Sequence, residues 1–185
     1  MNRQFWVGIL IALVVIIMLF FNKKVSLIRL FIEHLKVFKN DRTGKKSIWD
    51  YFCFFVFPII IAVLIVFGMS YKVTSQLAEI LTTVFSLVFT ILFGFAAVIV
   101  EKRGSDNAKK KQVIGETFVS IITSTSLSLF AAFVSILLTT ITTSLYISIL
   151  SVVLFAVSLH IIMLLLMITK RAFVIYCEGE QNNQR

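Results

Sequence analysis

"LYISILSVVLFAVSLHIIMLLLMIT", Leu145 to Thr169, runs for twenty-five residues without one Asp, Glu, Lys or Arg. As a helix it rises about 37 Å, enough to cross the hydrocarbon core of a bilayer with some tilt. Polar and apolar residues do not alternate along it, so it is not a strand of a membrane barrel. The rest of the chain repeats the pattern. Residues 5–21, 51–71, 77–100 and 117–139 are long apolar runs nearly empty of charge. Of the 185 residues 59% are hydrophobic and mean hydropathy is +0.99, whereas a soluble domain is roughly 45–50% apolar. The expected fold is an all-α integral membrane protein occupying residues 1–185 as one membrane domain. It is a bundle of about five transmembrane helices, four if the first is peripheral, with an amphipathic helix on the cytoplasmic side. The last two spans are joined by so short a turn that they form an antiparallel hairpin.

Charge orients the spans. Of eighteen Lys and Arg, only Arg3 and Lys72 lie on one side of this layout. The rest fall in residues 22–50, residues 101–116 and the tail from Lys170. Cytoplasmic segments collect Lys and Arg, which places the N-terminus outside and the C-terminus in the cytoplasm of a cell with an inner membrane. Trp6, Tyr71 and Tyr146 then mark the outer interface, and Trp49, Tyr51 and Tyr176 the inner one. Residues 5–21 read as a retained anchor: Asn22-Lys23-Lys24 follows, where a cleaved signal would have small residues. Cys53 and Cys177 match no metal spacing and lie on the reducing side.

Between the first two spans, residues 25–39 are helical in period. Ile28, Phe31, Ile32, Leu35 and Phe38 share one face; Ser26, Arg29, Glu33 and Lys36 share the opposite one. This amphipathic segment suits a membrane surface rich in anionic lipid, or a packing partner, equally. Lys36, Lys39, Arg42, Lys45 and Lys46 are candidate docking groups for lipid or a partner, as are Lys109, Lys110 and Lys111 in the short, turn-rich inner loop "EKRGSDNAKKKQ". No aromatic residue interleaves with Lys109, Lys110 and Lys111, so direct nucleic-acid binding has little support. "GKKS" lacks the earlier glycine and the strand of a phosphate loop. Ser47 and Asp50 have the spacing of a capping box for the second span. Pro58, the sole proline, frees a backbone carbonyl there and is a candidate hinge.

Two spans carry polar stripes. Glu79, Thr83, Ser86, Thr90, Gly94 and Ala97 recur every three or four residues, which keeps them on one face. Thr117, Ser120, Ser124, Ser128, Ser135 and Thr139 do the same on the fourth span, with Ala131 filling the gap. Such faces either pack helices closely, with hydroxyls bonding across the contact at about 0.6 kcal/mol each, or line a pore between subunits. Glu79 sits near the outer end, able to snorkel to water. His160 is an ionisable group deep in the last span and calls for a function or a partner, such as a neighbouring serine.

No acid, base and nucleophile cluster in the pattern, His34 and His160 lie on different elements, and no cofactor motif is present, so an enzyme is not expected. In size, in having multiple spans and no catalytic domain, and in the inner basic stretch "HLKVFKNDRTGKK", the chain resembles small multi-span membrane subunits of bacterial anti-phage defence systems, Kiwa among them. That family has four spans, one fewer than counted here. The resemblance implies an inner-membrane homo-oligomer, coupled to a cytoplasmic partner protein that itself binds nucleic acid, responding to perturbation of the envelope. The other expected function is an oligomeric ion channel or membrane-permeabilising effector, lined by the hydroxyl faces of the third and fourth spans.

Overall fold

The computed structural model describes residues 27–38, 48–101 and 108–183, and all their regular structure is helical. The run at residues 5–21, Lys39, Arg42, Lys45, Lys46 and the Ser47 cap lie outside the described residues. A short helix α1, Leu27–Val37, is followed by α2, Ile48–Gly68, then α3, Ser75–Glu101, α4, Ala108–Thr140, and α5, Ser144–Asn183. Four of these, α2 to α5, are long and apolar enough to cross a membrane, by length and composition. α4 is the centre of the bundle: it packs against α3, α5 and α1, while α2 packs against α5.

α4 and α5 outgrow their apolar runs. α4 begins at Ala108, so Lys109, Lys110 and Lys111 lie on its first turn rather than in a loop. Ala, Lys and Gln are good helix formers, and neither Gly nor Pro interrupts residues 108–114. α5 likewise continues through Lys170 and Arg171 to Asn183. α3 starts cleanly because Thr74 caps it: the Leu77 N–H donates to Thr74 Oγ1 at 3.3 Å.

α2 is irregular around its proline. Residues Phe52–Val56 form a π-helical turn, closed by the Phe57 N–H on Phe52 O, and Pro58 is buried at the start of the α-helical stretch Phe57–Val63. Lacking an N–H, Pro58 has nothing to give the carbonyl of Phe54, four residues back. A second π-helical turn, Leu64–Gly68, ends the helix, and Ser70 then takes a left-handed backbone conformation with φ 53°. The chain is held there by α5: Val73 N–H donates to Ser151 Oγ at 3.1 Å, and Lys72 Nζ to Ser144 Oγ at 2.8 Å.

The core lies along the α3–α4–α5 contacts in two apolar clusters. Phe85, Ala131, Leu138, Leu154 and Ile161 fill the half near the α4–α5 turn. Leu92, Ala96, Ile99, Ile114, Ile121 and Ile168 fill the half near α1. α1 lies at that second end, where the Tyr51 hydroxyl donates to the Leu35 carbonyl at 2.5 Å. The side turned to the bundle holds His34, Val37 and Phe38, all buried, with Leu35 half-buried, while Ile28, Phe31 and Ile32 of the apolar face remain exposed. Aromatic neighbours Phe54 and Phe55 on α2 draw Phe38 and His34 in and turn the helix accordingly.

Candidate functional site

The two polar stripes have opposite surroundings. On α4, Thr117, Ser120, Ser124, Ser128 and Ser135 are all 0% exposed, inside the protomer; only Thr139, at the helix end, is exposed. On α3, Glu79, Thr83, Ser86, Thr90, Gly94 and Ala97 are all exposed on the outside of the bundle. The inward side of α3 is instead Ala78, Phe85, Leu92, Ala96 and Ile99. So the two stripes do not face one shared space within the chain.

Hydroxyls on both helices bond to their own backbone rather than across a helix contact. Thr117, Ser120, Ser128 and Ser135 donate to the carbonyls of Val113, Glu116, Ser124 and Ala131 at 2.7–2.9 Å. Thr123, Thr125 and Ser126, off the stripe, do the same to Val119, Ile121 and Ile122. On α3, Thr83, Ser86 and Thr90 donate to Glu79, Thr82 and Ser86. A short side chain reaches its own preceding turn more readily than a neighbouring helix, and in an apolar medium that bond is always on offer. What these residues contribute to packing is therefore small size. Ser124 is the exception: its Oγ is buried with no hydrogen-bond partner.

His160 and His34 come together at the α1 end, although 126 positions separate them in the sequence. Their ring centroids are 5.8 Å apart with planes at 85°. Phe55 lies tilted 4.8 Å from His160 and edge-on 5.9 Å from His34, and Phe38 lies 5.1 Å from His34, also edge-on. The partner of His160 is not a serine: its Nδ1 lies 2.7 Å from the Phe54 carbonyl, the one that Pro58 leaves unserved. A carbonyl only accepts, so His160 Nδ1 carries the proton of that bond. His34 is fully buried, and neither ring nitrogen has a hydrogen-bond partner. Burial pushes the His34 imidazole down to about 4, and the neighbouring His160 and Arg171 reinforce the shift. Arg171 on α5 pairs with Glu116 on α4 at 3.1 Å, and Gln112 donates to the same carboxylate at 3.0 Å. Among the described residues, no three His, Cys, Asp or Glu side chains converge as a metal-ligand set.

Of the basic docking candidates, Lys36 and Lys111 are exposed at the α1 end, and Lys109 and Lys110 lie on the same helical turn of α4. The sequence pattern missed three things here: the inward turn of His34, the pairing of Arg171 with Glu116, and the acceptor of His160. Only the last had a signal, in Pro58. No family model matches the chain, and no curated protein or solved structure matches it significantly.

Proposed function

We propose that this chain is a non-enzymatic, multi-pass subunit of a cell inner membrane that docks a soluble cytoplasmic partner on its α1 end. The observation that carries the reading is the seating of α1: with His34 buried and Tyr51 bonded to its backbone, α1 is fixed on the bundle and presents Lys36 outward, at the end where Lys111 is also exposed. In the sequence layout sixteen of the eighteen Lys and Arg fall on one side of the spans, and by the positive-inside rule that side faces the cytoplasm. The open stripe on α3 supports a homo-oligomer, because small residues let a second helix backbone approach closely. The resemblance to membrane subunits of anti-phage defence systems extends the proposal: the partner binds nucleic acid, and the membrane subunit responds to envelope perturbation.

The test is co-purification from the native membrane. Changing Lys109, Lys110 and Lys111 together to Glu is expected to release a stoichiometric soluble protein that the wild-type chain retains, with the oligomer intact. Retention by the triple variant would overturn the docking face.

A second reading has one observation in its favour. Thr83, Ser86 and Thr90 stand exposed on α3 with Glu79 near the helix start, so a ring of subunits meeting through α3 would present hydroxyls and a carboxylate ring to a cation path. In that case purified oligomer conducts in planar bilayers, and Ser86→Leu and Thr90→Leu abolish conductance while the oligomer persists. An absence of conductance under all triggers removes this reading.

A further inference from the structure

Beside α1 the surface of the bundle is indented. A groove of about 370 Å³ runs between α1, α3 and α4, with Leu30, Ile99, Ile114 and Phe118 among its apolar walls. Gly115 also lines it, and a Cβ placed there would meet no atom within 4 Å. The absent side chain thus leaves room rather than permitting a tight helix contact. One lining group is charged: Glu33, on the α1 wall. It makes no ion pair among the described residues. Lys111 lies one turn before Gly115, on the same face of α4 and nearer the helix start, and is exposed.

The groove is therefore an apolar slot with a carboxylate on its α1 wall, and Lys111 stands one turn beyond Gly115 towards the start of α4. It lies at the end of α3 and the beginning of α4, where membrane helices meet the headgroup layer. An acyl chain fits the walls. A phosphate fits Lys111, and a primary ammonium fits Glu33 through charge-assisted hydrogen bonds. The phosphate of an anionic lipid such as phosphatidylglycerol would also satisfy Lys111, but its neutral glycerol offers Glu33 hydroxyls in place of a charged donor. A quaternary ammonium has no N–H to donate.

We propose that the α1–α3–α4 groove is a binding site for one zwitterionic aminophospholipid of the phosphatidylethanolamine class, its acyl chain over Gly115 and its headgroup between Lys111 and Glu33. The site rests on α3 and α4 being membrane spans but not on the docking of a soluble partner, so loss of either activity is separately visible.

The experiment is native mass spectrometry of the full chain, delipidated and then reloaded from an equimolar mixture of phosphatidylethanolamine and phosphatidylglycerol. One phosphatidylethanolamine per chain is expected to be retained, preferred about tenfold, the worth of one hydrogen bond to a charged group. Glu33→Gln, at an exposed position, should erase the preference without changing thermal stability. Gly115→Leu fills the slot where nothing else stands and should remove the bound lipid altogether. Glycerophosphoethanolamine, which carries the headgroup without acyl chains, should not compete. Equal retention of both lipids by the wild-type chain overturns the proposal, as does unchanged retention by Gly115→Leu. A disulfide formed between Gly115→Cys and a cysteine placed within residues 5–21 would also overturn it, by assigning the groove to the chain's own N-terminal apolar run.

Discussion

α3 and α4 carry nearly the same pattern, a full-length row of small and hydroxylated residues, yet on α4 the row is buried and on α3 it is open. Position in the bundle makes the difference. α4 has neighbours on three sides and α3 packs chiefly against α4, so only α4 has to make its polar face thin enough for close contact. A periodic stripe establishes that residues share a face. It does not say what the face meets. The α3 row has no partner among the described residues, and in the proposed homo-oligomer it is the surface on which a second copy settles.

That contrast can be broken in several ways. The largest effect is expected from pH, through the α1 that covers the end of α4. The His34 imidazole is held near 4 when docked and returns to the ordinary value near 6.5 when α1 is released. The docked state therefore binds fewer protons. Docking is at full strength above pH 6.5 and weakens as pH falls towards 4, by about 3 kcal/mol in all. Hydrogen exchange of the α1 amides should rise steeply over that window, and His34→Phe should flatten the rise.

Next comes bulk. Ser128→Leu forces a large side chain into the closed α4 contact and should cost about 1–3 kcal/mol of protomer stability. Ser86→Leu on α3 should change it by less than about 0.5 kcal/mol. Unfolding in mixed micelles measures both, and equal costs would erase the distinction between the two stripes. Smaller still is Ser124→Ala. The Ser124 Oγ is buried and unbonded, so its removal should be neutral or stabilising by up to about 1 kcal/mol. Ser128→Ala, which loses a bond to the Ser124 carbonyl, should show no such gain.

The spans were legible because charge is excluded from them. The expected run at 77–100 became α3, Ser75–Glu101, and those at 117–139 and 145–169 lie inside α4 and α5. Helix ends were less so, since Lys109–Lys111 and Arg171 are as content in a helix beyond the membrane as in a loop. For α1 the shared apolar face was legible and the side turned to the bundle was not: an apolar arc wide enough to include Ile28, Phe31 and Phe38 leaves the rotation to whatever packs on it, here Phe54 and Phe55. The meeting of His34 and His160 depends on that rotation together with the bend at Pro58, so nothing local in the sequence could announce it. The hydroxyls were legible as a face but not as donors, because a bond to the preceding turn competes with any bond across helices.

In the proposed homo-oligomer the α3 stripe is the contact between copies, and the α4 stripe is internal to each chain. Single cysteines at Thr83, Ser86 and Thr90, and at Ser124 and Ser128, introduced into a chain lacking Cys53 and Cys177, test it by oxidative cross-linking in native membranes. The account predicts covalent dimers from the α3 positions and none from the α4 positions. Dimers from Ser124→Cys or Ser128→Cys, or none from any α3 position, would contradict it.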